Sequence, residues 1–542
     1  MTANVAGVNA AKQAGFWLSL LFMNAVLTLR FPEHQVWYSY WAISLDLVAL
    51  LVVFALWGTR RRQFPRVSHW VLLPLLVLWR VQRIADGIEQ GAYLRDFNWS
   101  LDLPLLPEFC RLFYATLPRA TFAVALVGTG LTLGALAYAI QRALISLAAG
   151  MASIERARIV AAAIGLFSVF SVCLRADAIF APSLLLRVAT EVGFARHLGG
   201  HRRAQLARIA AVQSVLRSGP SDLLRLRGRS VYLFVIESYG QAAIQQPALW
   251  ARVEPEYRRF ETELTGRGFR IASTLLDSPT YGGRSWLAQA TLLSGVTVHD
   301  QVEFQLLRGA RVKTLAQVFH DAGYRTVLAQ PGTVRESSAP DLLRFERHYF
   351  APDLDYHGPR FGWATMPDQF VLDAVRRREA SDLGRPRFFC YALVSSHVPW
   401  SDLPPVVDDW SSLGDGSIYL ELPNRHYQTH WLSLAGAGAA CADAIVYDLE
   451  VLRRFIAAFV EDDSLIIILG DHQPHSDVSE RSPSSAVPVH VLSRNDAFVD
   501  PFRARGYTPG MLADQARPHS GLQSLMLDLL ADFSLSSDRG KH

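Results

Sequence analysis

Hydrophobic residues are distributed along this chain in two ways, and the change falls near residue 176. Before it, apolar runs follow one another closely: Gly15–Leu29, Trp37–Trp57, His69–Val81, Ala120–Ile140 and Ala157–Leu174. A hydrocarbon core about 30 Å thick calls for about 20 apolar residues in a helix. The second, fourth and fifth runs meet that length, and the first does with its flanks. The third is short, and reads either as a span or as a re-entrant or interfacial segment. The pattern predicts an α-helical transmembrane domain of about five spans over residues 1–176.

Residues 177–229 are polar and helix-compatible. Leu184–Leu216 predicts a helix, either amphipathic and lying on the membrane surface or a solvated linker. Ser218-Gly219-Pro220-Ser221 marks the best boundary. From Ser230 onward, continuous apolar runs at Val231–Ile236, Phe388–Val394 and Leu465–Leu469 read as strands buried on both faces. Helical patterns at Glu254–Leu264, Thr314–Ala322, Asp368–Arg378 and Ala435–Val460 lie between and around them. This alternation predicts an α/β domain over residues 230–542 with a mostly parallel central sheet.

Loop charge orients the two halves. Arg60, Arg61, Arg62 and Arg66 sit between the second and third runs, and Arg142, Glu155, Arg156 and Arg158 between the fourth and fifth. The loop between the third and fourth is acidic, with Asp86, Glu89, Asp96, Asp102 and Glu108. Arginine loops stay in the cytoplasm, so five spans place the N-terminus inside and everything after residue 176 outside. No small-residue cleavage site follows Leu29, which predicts an uncleaved anchor. Composition agrees with an integral membrane protein: of 542 residues, 50% are hydrophobic and 19% charged. Net charge is only +4, with no basic stripe interleaved with aromatics, which excludes nucleic acid as a partner. The four cysteines form no CxxC. Cys390 and Cys441 are either buried thiols or a disulfide.

In parallel sheets ligands gather beyond the carboxyl ends of the strands. Here those ends are polar: Glu237-Ser238 after the first strand, Ser395-Ser396-His397 after the second, Gly470-Asp471-His472 after the third. A glutamate, an aspartate and imidazoles brought to one sheet edge suit a divalent cation. The bland alternative is a set of helix caps and turn formers.

The segment Ser285-Trp-Leu-Ala-Gln-Ala-Thr-Leu-Leu-Ser-Gly295 resembles the nucleophile-bearing segment of the alkaline phosphatase/sulfatase superfamily, with Gly295 ten positions after Ser285. Thr314–Thr326 is similar to the helix and strand that follow in that family, Phe389–Trp400 to its substrate-side histidine segment, Tyr447–Phe455 to the helix before its last metal strand, and Gly470-Asp471-His472 to its late metal motif. The resemblance runs over about Ser230–Val491 and keeps the motif order. Its membrane-anchored lipoteichoic acid synthase and phosphoglycerol transferase branch is the nearest in organisation.

That resemblance implies one divalent ion, Mn²⁺ or Mg²⁺ with Zn²⁺ as the alternative, held by Glu237, Ser285, Asp471 and His472. It makes Ser285 the nucleophile, following Gly282-Gly283-Arg284, and puts His397 on the substrate side. Two departures stand out. Ser285 replaces the usual Thr, and the Pro-Ser-Arg of sulfatases is absent because Trp286-Leu287-Ala288 follow. Chemistry on phosphorus is therefore expected over sulfate-ester hydrolysis.

Metal coordination would activate the serine hydroxyl for attack on a phosphodiester, with His397 binding or protonating the leaving or acceptor oxygen. Arg284 is either a phosphate clamp or a surface arginine. Trp363 either contacts the transferred group or is a core or lid residue. His475 either touches substrate or is solvated. Asp368 is expected to cap the helix that follows Pro367, and His357 and His490 to be structural or solvated. The expected partners are a membrane phospholipid donor and an envelope glycan or lipid-linked acceptor, at the outer face of a cytoplasmic (inner) membrane. The leading function is phosphoglycerol transfer. Phosphoethanolamine transfer, phosphodiester or sulfatase-type hydrolysis, and an inactive sulfatase-fold scaffold are the alternatives.

Overall fold

The structure, a computed structural model, describes residues 2–29, 42–59, 66–116, 118–152, 154–173, 180–181, 183–219, 221–333, 342–362, 364–380, 384–429, 434 and 436–535. The chain forms two compact units, Met1–Gly91 with Arg95–Gly199, and Ala92–Leu94 with Gly200–His542.

In the first unit most of the described part of the apolar runs becomes helix, residues 37–41 of the second run lying outside the described residues and Ile43–Ser44 forming a short strand: α1 (Thr2–Thr28), α2 (Leu45–Thr59), α3 (Arg66–Tyr93), α4 (Arg119–Met151) and α5 (Ile154–Cys173). Phe16, Met23, Leu51, Phe54, Trp79, Leu144 and Leu147 form their shared core. Among the described residues, α4 alone is long and apolar enough to cross a membrane, while Gln13–Thr28 and Leu45–Trp57 are shorter apolar helices. The other helices fall short of that measure for a visible reason. The 28 residues of α3 include Arg80, Arg83, Asp86 and Glu89, and α5 opens on Glu155, Arg156 and Arg158. The exposed side of α4 is apolar, with Val124, Leu126, Val127 and Leu131 uncovered, as suits a lipid-facing surface.

A long helix, α6 (Leu184–Ser218), leads into the second unit. Its frame is a nine-stranded sheet. The strands are β1 (Val231–Ile236), β2 (Arg270–Asp277), β3 (Arg325–Ala329), β4 (Arg347–Tyr349), β5 (Arg387–Ala392), β6 (Leu465–Gly470), β7 (Ala486–Ser493), β8 (Thr508–Pro509) and β9 (Ser520–Gly521). Their order is β8-β2-β7-β6-β1-β5-β3-β4, with β9 also on β2. From β6 to β4 all pairs are parallel, whereas β7, β2 and β8 pair antiparallel. The sheet is thus mostly parallel, as expected, with an antiparallel flank.

Residue alternation along β1 explains why it lies at the centre. Tyr232, Phe234 and Ile236 enter the core on one face and Val231, Leu233 and Val235 the core on the other. A strand covered on both sides has no polar face, hence its unbroken apolar run. The helices α7 (Pro247–Gly266), α11 (Asp368–Glu379) and α12 (Gly438–Phe459) contribute to the first core. The helices α8 (Ser285–Ser294), α10 (Leu315–Asp321) and α14 (Ser524–Phe533) contribute to the second, while α9 (Gln301–Gly309) follows α8 and α13 (Asp496–Ala504) follows β7. The flanking strands β2 and β7 lacked a sequence signal because Ser273, Thr274, Pro488 and His490 interrupt their apolar character.

The strand expected to reach Val394 stops at Ala392. The N–H groups of Val394 and Ser395 leave the ladder and donate to the Asp368 carboxylate at 2.6–3.0 Å. Asp368 is therefore not the helix cap expected from sequence. Pro367 holds the cap position, and Asp368 is the first, fully buried residue of α11. Cys390 and Cys441 are both free and buried, so the thiol reading holds over the disulfide, and burial pushes the Cys390 thiol up to about 12.

Candidate active site

Two strand ends and one helix start meet at the carboxyl edge of the sheet. Glu237 follows β1, Asp471 and His472 follow β6, and Ser285 opens α8. Ser285 Oγ donates to Glu237 Oε2 at 2.8 Å and lies 3.2 Å from His472 Nε2. His472 Nε2 in turn lies 3.1 Å from Glu237 Oε1 and 3.5 Å from Asp471 Oδ2. Glu237, Asp471 and His472 are buried, with ligand atoms within 4.8 Å of one another.

Local backbone geometry produces this convergence. Gly470 must be glycine, because a Cβ there would collide with the Tyr239 carbonyl. Ser238 is held at φ 58°, in the left-handed region. That turn sends its N–H to Asp471 Oδ1 at 2.9 Å, and the same oxygen accepts from the His472 N–H at 2.7 Å. Ahead of Ser285, Tyr281 pairs with Gln473 and the Gly282 N–H donates to the Gln473 carbonyl at 3.1 Å. The nucleophile loop is therefore laced directly to the loop that carries Asp471 and His472. Arg284 then turns at φ 65° into α8. Strained non-glycine backbone at Ser238 and Arg284, on either side of one cluster, is the pattern that functional sites show.

The charges of the cluster are mutually dependent. Burial would raise the Glu237 carboxyl, but the charges of His472 and His397 and hydrogen bonds from His472 and Ser285 hold it low. Burial and the neighbouring Glu237 raise Asp471. Burial would lower His472, yet Asp471 and Glu237 bring it up to about 9. His472 Nδ1 lies 2.7 Å from the Gln473 carbonyl, so that nitrogen carries a hydrogen and Nε2 is the ring nitrogen turned to the cluster. Two buried carboxylates, one imidazole nitrogen and one hydroxyl thus share a spot where a positive charge is called for. The donor set fits a divalent ion.

The other sequence candidates take varied places. His397 lies close enough for its charge to act on Glu237, and its Nδ1 is 2.6 Å from the Val398 carbonyl. Arg284 is half-buried, with its guanidinium over the Tyr93 ring at 4.6 Å, rather than a surface arginine. His475 is half-buried beside Asp477, and burial lowers its pKa. Trp363 lies outside the described residues. His357 is exposed between Asp355 and Asp415. His490 is structural: it lies in the core, between Ser273 Oγ at 2.8 Å and Tyr239 Oη at 2.9 Å.

Sequence reasoning missed Asp448, a fully buried residue of α12. It lies beside Asp368 and Ser396, and neither of its oxygens makes a well-formed hydrogen bond. Ser396 Oγ donates to the Glu237 carbonyl at 2.6 Å, which ties this acidic pair to the site. An acid on the apolar face of α12 was the available signal.

The fold and the cluster define an α/β domain of the sulfatase type, with a serine held among metal-binding groups. Residues 287–497 match the Sulfatase family, the resemblance expected from the motifs. The matched stretch includes Asp471 and His472 and begins two residues after Ser285. No curated protein matches the chain. Solved structures to which the chain is similar include the lipoteichoic acid synthase LtaP from Listeria monocytogenes, at 12% identity and TM-score 0.37, over 56% of this chain and 72% of that one. The periplasmic domain of EptC from Escherichia coli is similar at 12% identity and TM-score 0.38, over 57% of this chain and 83% of that one. The Streptococcus pyogenes phosphoglycerol transferase GacH is similar at 12% identity and TM-score 0.35, over 60% of this chain and 91% of that one.

Proposed function

We propose that this protein is a membrane-anchored transferase that moves a phosphoglycerol-type head group from a membrane phospholipid to an envelope glycan or lipid-linked acceptor, through a phosphoserine at Ser285. One observation carries the reading: Ser285 Oγ lies 2.8 Å from Glu237 Oε2 and 3.2 Å from His472 Nε2, within a buried set of metal-binding groups. Glu237, Ser285, Asp471 and His472 would hold one divalent ion, Mn²⁺, Mg²⁺ or Zn²⁺. When bound, such an ion lowers the pKa of the serine hydroxyl and polarises a phosphoryl oxygen.

The residues perform the rest. Ser285 Oγ attacks phosphorus, releasing its proton towards Glu237 Oε2. The bond from phosphorus to the diacylglycerol oxygen breaks, and His397 supplies that oxygen with a proton. An acceptor hydroxyl then attacks phosphorus, gives its proton to His397, and Ser285 Oγ leaves and regains its own. Arg284 and His475 would contact the oxygens of the transferred group. The apolar helices of the first unit keep the enzyme where the donor resides. Five spans with the arginine loops inside would set the catalytic unit outside the cytoplasm. The Trp286-Leu287-Ala288 sequence after Ser285 supports phosphorus over sulfate.

The test is mass spectrometry of Ser285 after the full-length protein meets phosphatidylglycerol in detergent. A glycerophosphoryl adduct is expected. A phosphoethanolamine adduct from mixed lipids selects that head group instead. An unmodified Ser285, with activity unchanged in Ser285→Ala, rejects the mechanism.

A further inference from the structure

A second convergence of imidazole and carboxylates lies in the catalytic unit, away from Ser285. His201, on the part of α6 that belongs to this unit, meets Asp300 and Glu303 at the start of α9. His201 Nε2 is 3.1 Å from Asp300 Oδ2 and 3.3 Å from Glu303 Oε1. Both carboxylates are buried. His299 adds a second imidazole, its Nδ1 3.3 Å from Glu303 Oε2.

We infer that His201, Asp300 and Glu303, with His299 at the rim, form a second divalent-metal site of Zn²⁺ type that fastens α6 to the catalytic unit. The geometry argues for this first. A ring nitrogen has one in-plane direction, for a hydrogen or for a lone pair. It cannot make straight hydrogen bonds to two carboxylates at once, whereas an ion between the three satisfies all of them. The same signature, one Nε2 facing two carboxylates, recurs at His472, where the distances are 3.1 and 3.5 Å. In both sets the ligand atoms lie within 4.8 Å of one another.

The oxygens are also divided in a telling way. Asp300 Oδ1 accepts from the Glu303 N–H at 2.8 Å and caps α9, while Oδ2 is turned to His201. Glu303 Oε2 accepts from the His299 N–H at 2.8 Å, while Oε1 is turned to His201. Each carboxylate is thus oriented by one oxygen and presents the other, which is how buried metal ligands are held. One imidazole nitrogen and two carboxylate oxygens that converge are a ligand set that suits Zn²⁺. Arg208 is the competitor: its guanidinium reaches Glu303 Oε1 and Gln205. It is nearly half exposed, so an ion can displace it towards solvent.

The site is structural in location. It lies beyond the far end of α8, about 15 Å of helix from Ser285. Around it α6 is already docked, with Gln205 donating to the Thr297 carbonyl at 3.0 Å and Gln213 bonded to both the N–H and the carbonyl of Lys313 at 2.8 and 3.2 Å. An ion here would lock that docking.

The full-length chain in detergent, stripped with chelator and re-equilibrated with Zn²⁺, tests it by metal content after gel filtration. In the Glu237→Gln/Asp471→Asn background one equivalent is expected to remain, with a Zn²⁺-dependent rise in Tm. Adding Asp300→Asn weakens Zn²⁺ binding at least about tenfold, and His201→Ala abolishes it. Arg208→Gln, which removes the competing cation, tightens it several-fold. Should the double-variant background not fold, wild type separates the same outcomes, as two equivalents against one. A metal-free double variant, a wild type with a single equivalent, or an equivalent that survives both His201→Ala and Asp300→Asn overturns the inference.

Discussion

Two histidines of the catalytic unit, His472 and His490, are equally hidden from solvent, at 1% and 0% exposure, and behave in opposite ways. His472 is surrounded by Glu237 and Asp471, which bring its pKa up to about 9. His490 sits among the neutral hydroxyls of Ser273 and Tyr239, and burial takes it down to about 3. Burial alone therefore defines nothing; the company decides. The company follows from position. His472 lies just past the end of a parallel strand, where the chain leaves the sheet and side chains from several loops meet. His490 lies within β7, opposite Ile468 on β6 and Ser273 on β2, where every neighbour is fixed by register.

The comparison breaks most sharply at the charged cluster. Asp471→Asn removes one of two carboxylates while keeping the shape and the oxygen that accepts from the Ser238 and His472 N–H groups. Transfer activity should fall by about 10³-fold or more, about 4 kcal/mol of barrier, with Tm near that of wild type. Exhaustive chelation should abolish activity and Mn²⁺, Mg²⁺ or Zn²⁺ restore it in wild type, but not in the variant. Assay of diacylglycerol release from phosphatidylglycerol measures both. Retention of a tenth of wild-type activity by Asp471→Asn would remove this residue from the metal set.

The neutral cluster should respond in the reverse sense. His490→Leu leaves the Tyr239 and Ser273 hydroxyls, both buried, without their nitrogen partner. A loss of about 2–4 kcal/mol of stability is expected, while kcat per folded molecule stays within about twofold of wild type. Thermal unfolding beside an active-site titration separates the two quantities. A large fall in kcat with unchanged Tm would make His490 part of the site.

The same contrast explains what could be read from sequence. β1 and β6 are covered on both faces, so their runs at Val231–Ile236 and Leu465–Gly470 are unbroken, and the residues after them could be singled out by position alone. Ser285 needed more, because it opens a helix rather than following a strand, and its motif was the only guide. The antiparallel strands β2 and β7 gave no run because polar residues such as Ser273 and His490 pair inside the core. Asp368 was misread because the partners of its carboxylate are Val394 and Ser395, which no local pattern indicates. His201, Asp300 and Glu303 escaped for the same reason: the contact joins residues about a hundred positions apart. In the first unit the helices were legible as apolar runs, but among the described residues only α4 is long and apolar enough to cross a membrane.

Asp448 offers the finest test, because it is an acid in company intermediate between the two clusters. Burial and the adjacent Asp368 raise its pKa well above the ordinary 3.8. Below pH ~4 the group is protonated in both folded and unfolded chains and affects stability little. Above that, the unfolded chain releases the proton while the folded one keeps it, so the folded state binds more protons and stability declines with rising pH. Asp448→Asn keeps a donor towards Asp368 and removes the ionisable group. The variant should match wild type at pH 4 and exceed it at pH 8, by about 2–4 °C in Tm for each kcal/mol relieved. Thermal unfolding of both proteins across that range decides it. A variant destabilised equally at both pH values would mean that Asp448 is held ionised, as Glu237 is, and would extend the charged cluster into α12.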